Sequence, residues 1–179
     1  VKILEYQEYL GMREGAEVLE RDPSGDKVLR LKDGTILKLF RCGRRPPRAG
    51  GRNRDIALLK FLVSSAVLYP YARRFEANAR ALARIGVPVP EVIATFRIKG
   101  LQRDAVHYRP LPGRTLRELD QGGLSSEEKS LLKDKLTRLI IHLHDKGIYF
   151  RSLHIGNVVR TPTGELGLID FSDLRRYPW

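Results

Sequence analysis

The stretch from Ser125 to Phe171 constrains this chain most, because its parts follow one another in a specific order. Ser125 and Glu128 form a capping box, and Leu132, Leu136, Leu139, Ile140 and Leu143 follow as one apolar stripe. A long amphipathic helix ending near Gly147 is predicted. A loop then carries Asn157, and two short strands, Val158 to Arg160 and Leu166 to Ile169, are joined by Thr161-Pro162-Thr163-Gly164. Asp170-Phe171 comes directly after them.

The upstream half is patterned differently. From Glu17 to Phe40, Val18, Val28, Leu31, Ile36, Leu37 and Leu39 supply apolar positions, with turn signals at Pro23-Ser24-Gly25-Asp26 and Asp33-Gly34. A three-stranded meander is predicted. Asp55 can cap a helix to about Leu68, and a second helix runs from about Tyr71 to Ile85, closed by Gly86 with Pro88 beyond it. Phe75, Asn78, Ala79 and Leu82 share the inward face of that second helix. Ile93 to Ile98 and Ala105 to Tyr108 read as two further strands, making about five. Pro110, Pro112 and Gly113 then break the pattern and mark a hinge.

With 179 residues, 42% hydrophobic and 30% charged, the chain has the composition of a folded globular protein. The longest apolar stretch, Phe61 to Tyr71, is interrupted by Ser64, Ser65 and Pro70, so no membrane span is expected. Residues 1–10 lack the continuous apolar core of a secretory signal, and Cys42 is the only cysteine. These features point to a cytoplasmic protein. The net charge of +12 calls for an anionic partner or surface. Arg41, Arg44, Arg45, Arg48, Arg52 and Arg54 fall in one Gly- and Pro-rich segment, which reads as a basic loop over 41–54. Nucleic acid, anionic lipid or lipopolysaccharide would suit it, and so would plain solvation. His142 and His144 are two apart on a helix and make a poor metal pair.

The order of helix, Asn-bearing loop, hairpin and Asp-Phe resembles the catalytic core of the protein-kinase-like superfamily. The similarity is to small bacterial Bud32-like kinases, aminoglycoside-phosphotransferase-like enzymes, lipopolysaccharide core-sugar kinases and proteins labelled toluene-tolerance. Their loops read like H-G-D-L-H-P-G-N, and here the loop is Phe150-Arg151-Ser152-Leu153-His154-Ile155-Gly156-Asn157. The resemblance implies ATP and Mg2+ as cofactors, with Asn157 and Asp170 as metal ligands. Thr35-Ile36-Leu37-Lys38 looks like the V-A-I-K motif, which makes Lys38 the phosphate contact. Pro110 to Gly113 with Thr115-Leu116 resembles the adenine-facing hinge of such relatives.

Three positions depart from the family pattern. The catalytic carboxylate belongs five residues before Asn157, where this chain has Ser152. His154 and Asp173 are the substitutes at hand, although a loop histidine bonded to backbone is the plainer reading of His154. The glutamate that pairs with the kinase lysine is replaced by Asn78, which supplies no charge, and Glu76 lies about 200° round the helix from it. The loop between the first two strands has little glycine beyond Gly25.

The expected fold is α+β and two-lobed, with a five-stranded antiparallel sheet and helices in an amino-terminal lobe over 1–110. Residues 111–179 form a short, mainly helical carboxy-terminal lobe. The leading expectation for function is an atypical ATP- and Mg2+-dependent kinase acting on a lipopolysaccharide core sugar or other small anionic acceptor, cytoplasmic or peripheral at the inner membrane face. The rival is a pseudokinase, a binding module able to hold nucleotide, that works through a protein partner. A nucleic-acid-binding accessory protein ranks third.

Overall fold

The computed structural model describes residues 2–23, 25–41, 71–101, 103–151 and 153–177. The expected helix at about 55–68 and the basic loop beyond Arg41 lie outside the described residues. The chain forms two compact units, 1–76 with 92–109 and 77–91 with 110–179. The division is therefore not a single cut in the sequence.

The first unit is built on a six-stranded sheet in the order β1-β5-β6-β4-β3-β2, from β1 (Lys2–Leu4), β2 (Glu17–Asp22), β3 (Gly25–Arg30), β4 (Ile36–Arg41), β5 (Glu91–Ile98) and β6 (Arg103–Arg109). This corrects the expected five antiparallel strands. β1 is the added edge strand, and it runs parallel to β5 with Lys2 opposite Phe96 and Leu4 opposite Ile98. Three residues are too few to show a period of two, and only Leu4 of them is buried. The predicted meander is β2, β3 and β4, paired antiparallel. Its second turn is closed by Gly34 at φ 81, a conformation that L side chains avoid.

Alternation along β4 divides the buried residues between two faces of the sheet. Leu29, Leu37, Leu39 and Ala105 join Leu4, Ile98 and Tyr9 in one core cluster, with Leu10 and Met12 packed against it. Tyr9, Leu10 and Met12 come from α1 (Tyr6–Arg13), which the sequence reading did not foresee. The opposite face carries Lys38 and Phe40 on β4 and Tyr108 on β6. Phe75 stacks on Tyr108 at 5.4 Å and tilts against Phe40 at 6.3 Å. Phe75 belongs to α2 (Tyr71–Arg84), whose inward residues Phe75, Asn78, Ala79 and Leu82 are all buried, as the periodicity predicts.

In the second unit, α3 (Leu116–Gln121) and α4 (Ser126–Asp145) both begin with capping boxes, at Thr115 with Glu118 and at Ser125 with Glu128. The backbone N–H and hydroxyl of each cap hold the glutamate's carboxyl below its ordinary range. β7 (Arg114–Thr115), β9 (Val158–Arg160) and β10 (Leu166–Leu168) form a three-stranded sheet in the order β10-β9-β7. β8 (Ile148–Tyr149) pairs antiparallel with β11 (Arg175–Arg176).

Candidate functional site

The hairpin β9–β10 organises the second unit's chemistry. Antiparallel pairing sets Leu168 opposite Val158, so the residues just before β9 and just after β10 return to the same end. The backbone confirms this, since Ile169 N–H donates to the Asn157 carbonyl at 3.1 Å. An amide side chain and the Asp170 carboxylate are thus carried by two adjoining strand ends. Asn157 is buried, and Asp170 Oδ1 accepts from Ser172 Oγ at 2.9 Å. Both groups offer hard oxygen donors, the kind Mg2+ prefers, and Mg2+ needs only one or two carboxylates when substrate phosphates complete its shell. Among the described residues no group of three or more His, Cys, Asp or Glu forms a larger metal cage.

Phe171 is fully buried, and its carbonyl accepts from Asn78 Nδ2 at 2.9 Å and from Leu174 N–H at 3.2 Å. The amide nitrogen of Asn78, expected beside Lys38, is therefore committed to the Asp-Phe segment within its own unit. Replacing Asn78 with Leu removes one of the two donors to this carbonyl, which costs about 0.5–1.5 kcal/mol. A chemical melt of the variant should show that loss, and an unchanged midpoint would mean that the bond is immaterial.

Ser152, which stands at the position of the catalytic carboxylate, lies outside the described residues. His154 is exposed, its Nδ1 accepts from Gly156 N–H at 3.1 Å, and its carbonyl accepts from Asn157 N–H at 2.8 Å. This is the local turn of a loop histidine, and it sets the approach to Asn157. Asp173 is half-buried in the turn between Phe171 and Leu174. His142 Nε2 donates to the Ile85 carbonyl at 2.8 Å, whereas the His144 ring stacks on Tyr149 at 4.9 Å. The proline-rich segment 110–113 leads into β7, and Gly113, at φ 133, lies so close to the Arg160 carbonyl that a Cβ has no room.

In the first unit Lys38 stands on β4 between Val28 of β3 and Val106 of β6, and it is only 7% exposed. Its Nζ lies 5.7 Å from the Phe40 ring centroid and 5.9 Å from that of Phe75, so two aromatic faces line the path of the charge. Glu76 follows Phe75 on α2, is half-buried, and accepts from Thr95 Oγ1 at 3.3 Å. α2 contributes to both units, so side chains well apart around it each find a partner.

On the sheet's other face Thr35 Oγ1 donates to Asp33 Oδ1 at 2.6 Å and accepts from His107 Nε2 at 2.7 Å. Burial pushes the His107 imidazole below its ordinary range, against the opposing pull of Asp33.

No family model and no curated protein matches the chain. Solved structures do. A crystal structure of WbdD matches 85% of this chain with a TM-score of 0.52 and 21% identity, and a co-crystal of WbdD with the kinase inhibitor LY294002 matches the same share with a TM-score of 0.51 and 20% identity. A further structure, of the bifunctional kinase-methyltransferase WbdD, gives a TM-score of 0.50 at 20% identity and also covers 85% of this chain. The chain spans only 31% of the first two and 30% of the third. At such identity the likeness establishes a shared fold, the one this chain has in common with part of WbdD.

Proposed function

We propose that the protein is an atypical, ATP- and Mg2+-dependent kinase-like protein, acting on a lipopolysaccharide core sugar or another small anionic acceptor. The observation that carries this reading is the joining of Asn157 and Asp170 at one end of a hairpin through the bond from Ile169 to Asn157. Lys38, buried on β4 among aromatic rings, is the phosphate contact. Bound Mg2+ would neutralise charge on the nucleotide phosphates. The net charge of +12 suits an anionic acceptor, and the fold shared with a kinase-methyltransferase is consistent with phosphoryl transfer. Ser152 in place of the catalytic carboxylate favours the second reading, a pseudokinase that keeps the nucleotide site.

Both readings require nucleotide binding. MgATP is expected to raise the melting temperature, since a ligand held only by the folded state stabilises it by mass action. At 100 times its Kd the gain is about 2.7 kcal/mol. Asp170→Ala should abolish the magnesium-dependent part. A wild-type melting curve unmoved by saturating nucleotide, with or without metal, defeats the proposal.

A further inference from the structure

We propose that the second unit holds a binding site for a small organic anion with an apolar body, at the turn end of the β9–β10 hairpin. A cavity of about 510 Å³ is bounded there by the segment 86–88, one face of α4 and the turn 163–166. Asn157 and Asp170 stand at the hairpin's opposite end, about 10 Å away along three-residue strands. The site rests on this unit's own packing and not on the nucleotide reading.

Lys135, Arg138 and His142 line the cavity at i, i+3 and i+7, which puts all three on one helical face. Lys135 Nζ donates to the Gly164 carbonyl at 2.7 Å, so its charge is pinned at the rim. His142 is turned by its bond to Ile85. Among the described residues Arg138 has no hydrogen-bond or ion-pair partner. Glu165 is the one carboxylate in the lining, which leaves cationic charge in excess.

Apart from Thr163 and the backbone of the turn, the remaining side-chain surface is apolar. Val87 and Leu166 are 3% and 7% exposed, and Leu139 is half-buried beside them. A bare inorganic anion would leave this floor wet, whereas a ligand with an apolar body displaces that water and presents its head to Arg138. The planar guanidinium pairs with a carboxylate or phosphonate through two parallel bonds. The volume falls within the range of about 300–1,000 Å³ typical of small-molecule sites.

The test follows the methyl groups of Val87, Leu139 and Leu166 by NMR in the full chain during titration with phenylphosphonate, benzoate and inorganic phosphate. Saturable shifts are expected with at least one aromatic anion, and the better of the two identifies the head group. Inorganic phosphate should leave these methyls unmoved. Arg138 is exposed, so Arg138→Gln should fold as the wild type does while binding about tenfold or more weakly, the effect of losing a charge-assisted pair. Arg138→Lys, which keeps the charge without the fork, should fall between. The site is refuted by the absence of saturable shifts with both aromatic anions, by equal shifts with inorganic phosphate, or by wild-type affinity in both Arg138 variants.

Discussion

Ser152→Asp is expected to raise ATP turnover by about 100-fold or more, the usual worth of a general base, while nucleotide affinity changes little. The reason is that the substitution restores a proton acceptor five residues before Asn157 without touching Lys38, Asn157 or Asp170. Phosphoryl transfer depends mainly on positioning and on charge stabilisation, so a slow wild-type rate is compatible with an otherwise sound site. Steady-state turnover beside a nucleotide-binding isotherm separates the two quantities. A gain means a kinase impaired at one position. No gain in a variant that still binds nucleotide moves the fault elsewhere and favours the pseudokinase.

His154 sharpens the interpretation. Its ring accepts from Gly156 N–H, and that bond helps to shape the loop leading to Asn157. His154→Ala should therefore disturb loop order more than proton transfer. Brisk wild-type phosphorylation of an acceptor, abolished by His154→Ala or Asp173→Ala, would reverse this view and make one of them the base.

What the sequence revealed depended on how far each signal extended. The box at Ser125 and Glu128 was legible because twenty helical residues with an apolar stripe follow it. The equivalent box at Thr115 and Glu118 opens a helix of only six residues, too short to show a period, and was absorbed into the hinge. β1 and β7, of three and two residues, escaped for the same reason. Asn78 was placed correctly on a buried face, but its bond to the Phe171 carbonyl was not foreseen, because a stripe on a helix tells which residues turn inward and not what they meet. Asn157 and Asp170 were singled out through the family resemblance of their order, while their approach through Ile169 N–H is a tertiary fact.

Gly167→Ala should destabilise the second unit by about 1–3 kcal/mol or more, as overpacking does in a tightly packed interior. Gly167 lies within β10, where Leu168 N–H donates to the Pro88 carbonyl at 2.9 Å. A Cβ on Gly167 would stand 2.5 Å from that carbonyl oxygen and 2.5 Å from Leu111 Cδ2. Leu111 can turn aside, but the Pro88 oxygen is backbone and already holds the strand. Relief requires β10 to move, and Ile169 N–H then leaves the Asn157 carbonyl. The variant should accordingly lose part of its MgATP response as well as its stability. Gly86 supplies the contrast, since its φ of 78 is strained for a side chain while no atom lies within 4 Å of its Cβ position. Gly86→Ala should cost about 1–2 kcal/mol through backbone strain alone. Gly86→Asn should recover part of this because Asn tolerates the left-handed region, whereas Gly167→Asn should be worse than Gly167→Ala. Urea melts of the four variants decide the matter. A Gly167→Ala protein as stable as the wild type would show that the seam between β10 and Pro88 is looser than these contacts require.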